Sequence, residues 1–409
     1  MGGFKRGHAA DCNPPLSIPD SYPEAMMQPH RIDELETDRP EISVAFDTVQ
    51  RAAKERYERP FLIIDTSIVR EKLRRFVHAM PRVRPHYAMK ANPDPRVLKA
   101  LINEGAGFET ASLSEITTLL SLGVHPAGIL YSNPIKPRAH VEGAAACGVE
   151  WYVADSSEEV RKIVSVAPAA KICLRIETPN IGSDWPLSGK FGASITDARA
   201  IVRAAAALGA DLAGVTFHVG SQCRQPDNWR VGIERARRVF ELALDAGLRP
   251  RLLDIGGGYP VRLTRPIPSI DAIGEIVSRA LESFPDDVTV VAEPGRYLVS
   301  DAGYFVCRVV GTSRRGGKRW MYWDAGMFGG LLETTAGVKY ETRTERTGPP
   351  VKWHVGGPTC DSIDIVMRDE ELPCDMREGD FIYLRNAGAY TTAYASRFNG
   401  FPLPEIRVC

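Results

Sequence analysis

Three short apolar runs, HYAMK (residues 86–90), GFETAS (107–112) and ILYSN (129–133), decide the fold that this sequence predicts. Each run has the length of a β-strand, and the residues between runs have the length of a helix. Five further runs continue the pattern: WYVAD (151–155), ICLRIE (172–177), AGVTFHVG (213–220), LLDIGG (252–257) and TVVAEPG (289–295). The centres of successive runs are 21, 22, 22, 20, 43, 38 and 37 residues apart. Eight such units predict an α/β fold, a TIM-like (β/α)8 barrel, with an open doubly wound sheet as the alternative.

One intervening stretch, WRVGIERARRVFELALDAG (229–247), shows the period of a helix most clearly. Its apolar positions share one face: Trp229, Ile233, Ala236, Phe240 and Ala243. Gly247 stands where the glycine after a helix C-terminus is expected.

Outside the barrel pattern, the composition of the chain changes twice. Residues 1–58 are rich in proline and charge and predict a partly disordered N-terminal arm, with structure beginning near Phe61. Residues 59–300 are the predicted barrel. Residues 301–409 carry strand-like runs without amphipathic helices between them: YFVCRVVG, RWMYWDAG, KWHVGG and FIYLRNAG. They predict a second, mainly β domain, with a strand contributed by the N-terminal segment.

Composition excludes several classes of protein. Lysine plus arginine and aspartate plus glutamate both number 51, so nothing indicates a nucleic-acid or membrane-surface partner. No apolar run reaches the ~20 residues of a membrane helix, and the N-terminus lacks the apolar core of a secretory signal. The eight cysteines are scattered without a CxxC pair, which argues against a metal site or disulfide framework and favours a cytoplasmic setting.

The chemically suggestive residues lie at the ends of predicted strands, where barrel enzymes carry their active sites. Lys90 ends the first strand, and burial there is expected to lower the pKa of its amine and make it nucleophilic. The plainer interpretation is a lysine that reaches from the barrel rim to solvent. His218 follows the sixth strand and could stack on a flat ring, although a structural core histidine is the common alternative.

Three further features complete the pattern. The glycines of DIGGGYP (254–260) expose backbone N–H groups that could hold a phosphate, although a tight turn would also use them. Arg296 offers a bidentate phosphate donor or an ordinary surface ion pair, and Glu293 could face a pyridine nitrogen or form a structural salt bridge. Together these residues match the needs of pyridoxal 5'-phosphate (PLP): a Schiff-base lysine, a phosphate cradle, a pyridinium partner and a stacking ring.

Six motifs, in order along residues 60 to 402, carry a resemblance to a known family. They are YAMKANP, FHVGSQC, DIGGGYP, AEPGRYLV, GPTCDSID and GAYTTAYASRFNGF. They closely resemble the signatures of the PLP-dependent ornithine/lysine/diaminopimelate decarboxylases, which have an alanine-racemase-like barrel and a C-terminal β domain. Two further segments, SDWPLSGKFG and DAGMFGGLLETTAGVKY, resemble the bacterial ornithine/lysine enzymes of that family more than the animal ones.

The resemblance implies a role for each matching residue. Lys90 would bind the cofactor covalently, His218 would stack on its ring, and Glu293 would meet its pyridine nitrogen. The phosphate contacts implied are Ser221, Gly257, Gly258, Arg296 and Tyr390. Cys360 and Asp361 would enter the active site of the neighbouring subunit of a homodimer, where the cysteine protonates the product carbon and the aspartate binds the distal amine of the substrate.

Some positions depart from the family pattern and bear on the substrate. Glu109, which the resemblance places among the cofactor contacts, stands where the ornithine enzymes carry aspartate, and Gly189 stands where a basic residue is common. The animal-type enzymes have an acidic substrate contact near the position of Glu333. The sequence CDS at 360–362 favours a basic or diamino acid with one carboxylate. The resemblance implies its decarboxylation to the amine, as in polyamine biosynthesis. Diaminopimelate or a modified amino acid of a specialised pathway, racemisation, and a non-catalytic decarboxylase homologue remain alternatives.

Overall fold

The computed structural model describes residues 42–187 and 189–409. In chain order the strands are β1 (Phe61–Ile64), β2 (Val83–Ala88), β3 (Gly107–Thr110), β4 (Ile129–Tyr131), β5 (Trp151–Ala154), β6 (Lys171–Arg175), β7 (Ser183–Trp185), β8 (Asp211–Thr216), β9 (Ser221–Cys223), β10 (Leu252–Asp254), β11 (Thr289–Ala292), β12 (Gly303–Arg315), β13 (Lys318–Trp323), β14 (Thr342–Arg343), β15 (Pro350–Gly356), β16 (Ile365–Pro373), β17 (Phe381–Arg385) and β18 (Glu405–Val408). The helices are α1 (Phe46–Glu55), α2 (Thr66–Ala79), α3 (Pro95–Asn103), α4 (Leu113–Ser121), α5 (Arg138–Ala146), α6 (Ser157–Val166), α7 (Ile195–Leu208), α8 (Asp227–Asp245), α9 (Ile270–Leu281) and α10 (Arg296–Val299).

Eight parallel strands, β2 to β6, β8, β10 and β11, close into a barrel. Closure runs through β11 and β2, where Val290 lies opposite Val83 and Ala292 opposite Pro85. Helices connect most consecutive barrel strands, so the predicted (β/α)8 barrel is confirmed and the open sheet is wrong. This closure places the C-terminal ends of all eight strands around one rim.

Alternation along the strands separates two apolar regions. Ile129 and Tyr131 pack in the main core, whereas Leu130 between them belongs to a separate cluster with Val153 and Cys173. Successive strand residues point to opposite faces, so the smaller cluster fills the barrel interior while the main core lies between strands and helices.

Helix α8 has the buried face that its sequence predicts. Its predicted apolar positions are buried: Trp229, Ile233, Ala236, Phe240 and Ala243. Gly247 follows the helix with a φ of +78°, a conformation that glycine adopts without a steric penalty. Both predictions for this helix are therefore confirmed.

The second part of the fold is a mainly β sheet that mixes both ends of the chain. Its strand order is β14-β17-β12-β13-β15-β16, and β1 pairs with both β12 and β18. The predicted mainly β region is confirmed as part of the fold class. The boundaries at 58/59 and 300/301 stay predictions, since β1 precedes the barrel in sequence but hydrogen-bonds to the second sheet.

The N-terminal prediction needs a correction. We expected structure to begin near Phe61, but α1 begins at Phe46. Val49 and Ala53 are four residues apart and both buried, and the Phe46 ring packs against Tyr383 at 5.1 Å. The helix is stabilised by burial against the second sheet rather than by its own largely polar sequence. Most of the arm predicted over residues 1–58, up to residue 41, lies outside the described residues.

Gly388 allows the barrel and the second sheet to approach closely. A Cβ at this position would lie 1.9 Å from the carbonyl oxygen of Val299. The Gly388 backbone amide donates to the Ser300 carbonyl oxygen at 3.1 Å, and the Gly388 carbonyl oxygen accepts from Asn92 Nδ2 at 2.9 Å. The contact therefore links the end of the barrel to the loop that follows Lys90.

Replacing Gly388 with alanine is expected to lower the free energy of unfolding by about 3 kcal/mol, because rigid backbone must move to admit the methyl group. Gly311→Ala is the matched control, since a Cβ there meets nothing within 4 Å. Denaturant unfolding of both variants checks the prediction. Equal effects at the two positions would show that the close approach at Gly388 is not what constrains it.

Candidate active site

A cavity of about 490 Å³ opens at the C-terminal rim of the barrel. The predicted site residues that line it are Lys90, Glu109, His218, Ser221, Gly258, Glu293, Arg296 and Tyr390. Gly257 lies directly beneath, because a Cβ there would come 3.0 Å from His218 Nε2 and 2.6 Å from the Glu293 carbonyl oxygen. The structure thus brings together nine of the eleven residues singled out from the sequence.

Lys90 projects into this cavity from a single helical turn, Met89–Ala91, that follows β2. Its Nζ lies 2.9 Å from Glu109 Oε2. Because it lines the cavity, the Lys90 side chain keeps 45% of its surface exposed. Glu109 also accepts a short hydrogen bond from Ser132 Oγ, which fixes the carboxylate against β4. The longer side chain at 109 therefore reaches the amine directly.

The expected pKa of Lys90 was wrong in sign. Burial does lower the pKa, but the negative charge of Glu109, with contributions from Tyr390 and Glu293, raises it above the ordinary lysine value. Without a ligand, the amine is held as a cation by its ion pair. It must therefore pass its proton to another group before it can act as a nucleophile.

His218 is held as a neutral ring in the cavity wall. Its Nδ1 accepts the Gly220 amide hydrogen at 3.0 Å, which leaves Nε2 as the protonated nitrogen. Burial lowers the pKa of His218 well below its usual value, and the positive charges of Arg175 and Lys90 lower it further. A flat, uncharged surface is the result.

The DIGGG turn needs glycine for steric reasons. Gly258 has a φ of +99°, and a Cβ there would lie 2.3 Å from the Gly220 carbonyl oxygen. At Gly256 the corresponding distance, to the Phe217 carbonyl oxygen, is 2.0 Å. The turn packs tightly on the loop that carries His218, so the two segments form one wall of the cavity. The tight-turn and phosphate-cradle interpretations are therefore compatible.

Arg296 forms a buried ion pair that the sequence did not reveal. Its Nη1 and Nη2 bond to the two oxygens of Glu333 at 2.9 and 2.5 Å, and both side chains are almost fully buried. Its guanidinium carbon also lies 4.7 Å from the centre of the Tyr390 ring. The two terminal nitrogens are thus committed to Glu333, and Nε is a buried donor with no partner among the residues that the structure describes.

Cys360 and Asp361 lie outside the cavity of their own chain. Cys360 is exposed, with its Sγ 3.8 Å from Asn399 Oδ1, and Asp361 Oδ1 accepts the amide of exposed Ile363 at 3.1 Å. The structure of one chain therefore does not bring these two residues to Lys90. A role for them in catalysis requires a second subunit.

Sequence reasoning missed several cavity residues. Ser132 and Arg175 end strands β4 and β6 and line the cavity, so the strand-end rule applied to Lys90 would also have found them. Strand β7 pairs antiparallel with β9, and the segment that follows β7 brings Lys190 and Phe191 to the cavity. Nothing in the sequence places that segment over the barrel rim.

Three comparisons with known proteins agree with this geometry. The family model of the pyridoxal-dependent decarboxylases, pyridoxal binding domain, matches residues 66–300. The chain belongs to the pyridoxal-dependent decarboxylase family. It is 35% identical to ornithine decarboxylase of Schizosaccharomyces pombe, over 85% of this chain and 82% of that protein.

Two solved structures resemble this decarboxylase closely. The arginine decarboxylase of Paramecium bursaria Chlorella virus, bound to agmatine, has a TM-score of 0.84 at 29% identity, over 89% of this chain and all of that one. The lysine/ornithine decarboxylase of Vibrio vulnificus, complexed with cadaverine, has a TM-score of 0.82 at 32% identity, over 90% and 99%.

The cavity residues of the decarboxylase fit its cofactor, PLP. Lys90 presents an amine, His218 presents a neutral flat ring, and Gly258 lines the cavity without a side chain. Glu293 Oε1 and Arg296 Nε are buried polar atoms without partners in the described residues. A pyridinium N–H and a phosphate oxygen are the groups that would satisfy them.

In the part of the chain that the structure describes, no helix is long and apolar enough to cross a membrane. Within the same residues, no group of three or more His, Cys, Asp or Glu side chains is arranged to hold a metal ion. The seven described cysteines are unpaired thiols.

Proposed function

We propose that this enzyme decarboxylates a basic or diamino acid of the ornithine/lysine type to the corresponding amine and CO2. One observation carries the proposal. Lys90 faces a cavity that also contains the unpartnered Oε1 of Glu293, so an amine and a ring-nitrogen acceptor occupy one site. The amines bound in related structures, agmatine and cadaverine, support a basic substrate.

Glu109, Glu293 and His218 each have one role around the cofactor in this proposal. Glu109 Oε2, 2.9 Å from Lys90 Nζ, accepts the proton that the amine must lose before attack. When bound, PLP supplies the electron sink for the electrons left by the departing carboxylate. Glu293 holds the ring nitrogen in its protonated form. His218 supports the ring, and because it is neutral it places no second positive charge beside the pyridinium.

The remaining contacts hold the phosphate and finish the reaction. Arg296 Nε, Tyr390 and the backbone amides of Gly257 and Gly258, together with Ser221, are proposed to bind the phosphate oxygens. The Cys360 thiol of a second subunit then donates its Sγ proton to the substrate α-carbon. Asp361 of the same subunit meets the distal amine of the substrate.

We propose a homodimer with shared active sites in a cytoplasmic setting, without nucleic-acid or membrane partners. Cys360 and Asp361 cannot serve the cavity of their own chain. Exposed apolar side chains also lie in GPTCDSID, the motif that contains both residues, and in GAYTTAYASRFNGF: Ile363, Tyr394, Phe398 and Phe401. Apolar groups exposed beside catalytic candidates are typical of a surface that a second copy covers.

A second substrate class has its own observation. Arg175 and Lys190 line the cavity, and both lie against the Phe191 ring, at 5.7 and 4.9 Å from its centre. Neither cation has an ion-pair partner in the described residues. A substrate with a second carboxylate, such as diaminopimelate or a modified amino acid, could use them.

A decarboxylation screen separates the two classes. We expect ornithine or lysine to give kcat/KM at least about tenfold above diaminopimelate, because Asp361 favours a distal cation and rejects a distal carboxylate. Arginine and shorter diamino acids, each as L and D forms, complete the set. Lys190→Met is the matched variant, since Lys190 lines the cavity and only a diacid should depend on its charge. Preference for diaminopimelate would overturn the basic-substrate proposal.

A further inference from the structure

Asp254 lies behind the cavity, at the end of β10, and is fully buried. Both of its oxygens accept hydrogen bonds. Oδ2 accepts from Thr216 Oγ1 at 2.8 Å, and Oδ1 accepts the amide of Gly256 at 2.9 Å. It does not line the cavity, so the reaction proposed above gives it no role.

Glu293 stands between Asp254 and the cavity. It follows β11, the strand that pairs with β10, and its backbone amide donates to the Gly256 carbonyl at 2.8 Å, while the Gly256 amide donates to Asp254. This turn places the two buried carboxyl groups side by side, and each affects the ionisation of the other. Glu293 Oε1 is nevertheless buried without a donor in the described residues. Two ionised carboxylates cannot hydrogen-bond to each other, so a direct contact between them requires one proton.

We propose that Asp254 is a positioning residue for Glu293, and that the two carboxyl groups share one proton until the protonated ring nitrogen of PLP takes its place. The proposal rests on the role of Glu293 proposed above. On binding, the shared O–H bond breaks and its proton leaves to solvent. Glu293 then faces the pyridinium N–H as a carboxylate, and the ionised Asp254 behind it adds a second negative charge.

The surroundings of the pair agree with one retained proton. Burial raises the pKa of Asp254 to about 6, although its hydrogen bonds with Gly256, Thr216 and Glu293 lower it. Burial also raises the pKa of Glu293 well above its usual value, as do the charges of Asp254 and Glu109. The other groups that face the pair are Lys90 and Arg175, which lower the pKa of Glu293, and Cys173 and Tyr259, which lie beside Asp254.

The raised pKa of Asp254 sets the direction in which the stability of the protein changes with pH. A carboxyl group whose pKa is higher in the folded state contributes stability below its unfolded pKa and loses it as pH rises through the folded value. Asp254 should therefore make the cofactor-free protein less stable as pH rises from about 4 to about 6. Asp254→Asn should flatten that part of the stability profile.

Infrared spectroscopy of the full chain tests the proposal. At pH 7 the cofactor-free protein should show the carbonyl band of a buried protonated carboxyl group, and adding PLP should remove it. The band should be absent in Asp254→Asn and in Glu293→Gln. It should persist in Glu115→Gln, the control that removes a half-buried carboxyl group whose pKa is also raised by burial.

Two results would overturn the inference: no such band in the wild-type protein, or a band that persists in Asp254→Asn because burial alone protonates Glu293. If Asp254→Asn does not fold, Glu293→Gln provides the test instead. A band that persists in Glu293→Gln would show that Asp254 is protonated without Glu293, and it would also overturn the inference. Failure of the decarboxylation screen would not change these spectra, so the two proposals can fail separately.

Discussion

Replacing Lys90 with alanine is expected to abolish decarboxylation, with a loss of at least about 10⁴-fold in kcat. The variant should also lose the visible absorption of lysine-bound PLP, because alanine has no amine with which PLP can form a covalent bond. Lys190, which also lines the cavity, has its Nζ 4.9 Å from the centre of the Phe191 ring. Stopped assays of amine product and absorption spectra of the purified variants check both effects.

Lys90→Arg is the matched control for this experiment. It keeps a cation beside Glu109 and so preserves the local charge, but the guanidinium does not lose its proton to become a nucleophile. Both variants should therefore be inactive, while Lys90→Arg retains more of the wild-type stability. Turnover by either variant would refute the assignment of Lys90.

Mixing inactive Lys90→Ala and Cys360→Ala subunits is expected to restore activity. Random exchange makes half of the dimers hybrids, and each hybrid has one site built from intact Lys90 and intact Cys360. Recovery should therefore approach about a quarter of the wild-type rate. The Cys360→Ala variant alone should still bind PLP, since its Sγ lies outside the cavity of its own chain.

The control is a mixture of Lys90→Ala with Lys90→Arg, in which every site lacks its lysine. No recovery in the first mixture, although subunits exchange, would contradict the shared site. Activity in isolated Cys360→Ala at the wild-type rate would also contradict it, because the proton would then come from another group.

The barrel could be predicted because its strands are buried on both faces and stand out as short apolar runs in sequence. HYAMK and TVVAEPG, the first and last runs, give β2 and β11, which close the barrel. The same rhythm locates the site, since barrel geometry brings strand ends to one rim. Lys90, His218 and Glu293 were found in this way.

What the sequence could not provide are contacts between residues far apart in the chain. The Arg296–Glu333 ion pair joins residues 37 positions apart, and no local pattern signals it. The sign of the Lys90 pKa shift depends on Glu109, whose oxygen lies 2.9 Å away only in the folded barrel. Helix α1 was missed because its stability comes from packing against the second sheet.

The most direct test of the central claim is to incubate the purified, PLP-supplemented enzyme with L-ornithine or L-lysine and to measure CO2 and the D-isomer in the same samples. We predict stoichiometric release of CO2 and diamine without accumulation of the D-isomer. Formation of the D-isomer without CO2 would show that Lys90 serves a racemase and would contradict the account.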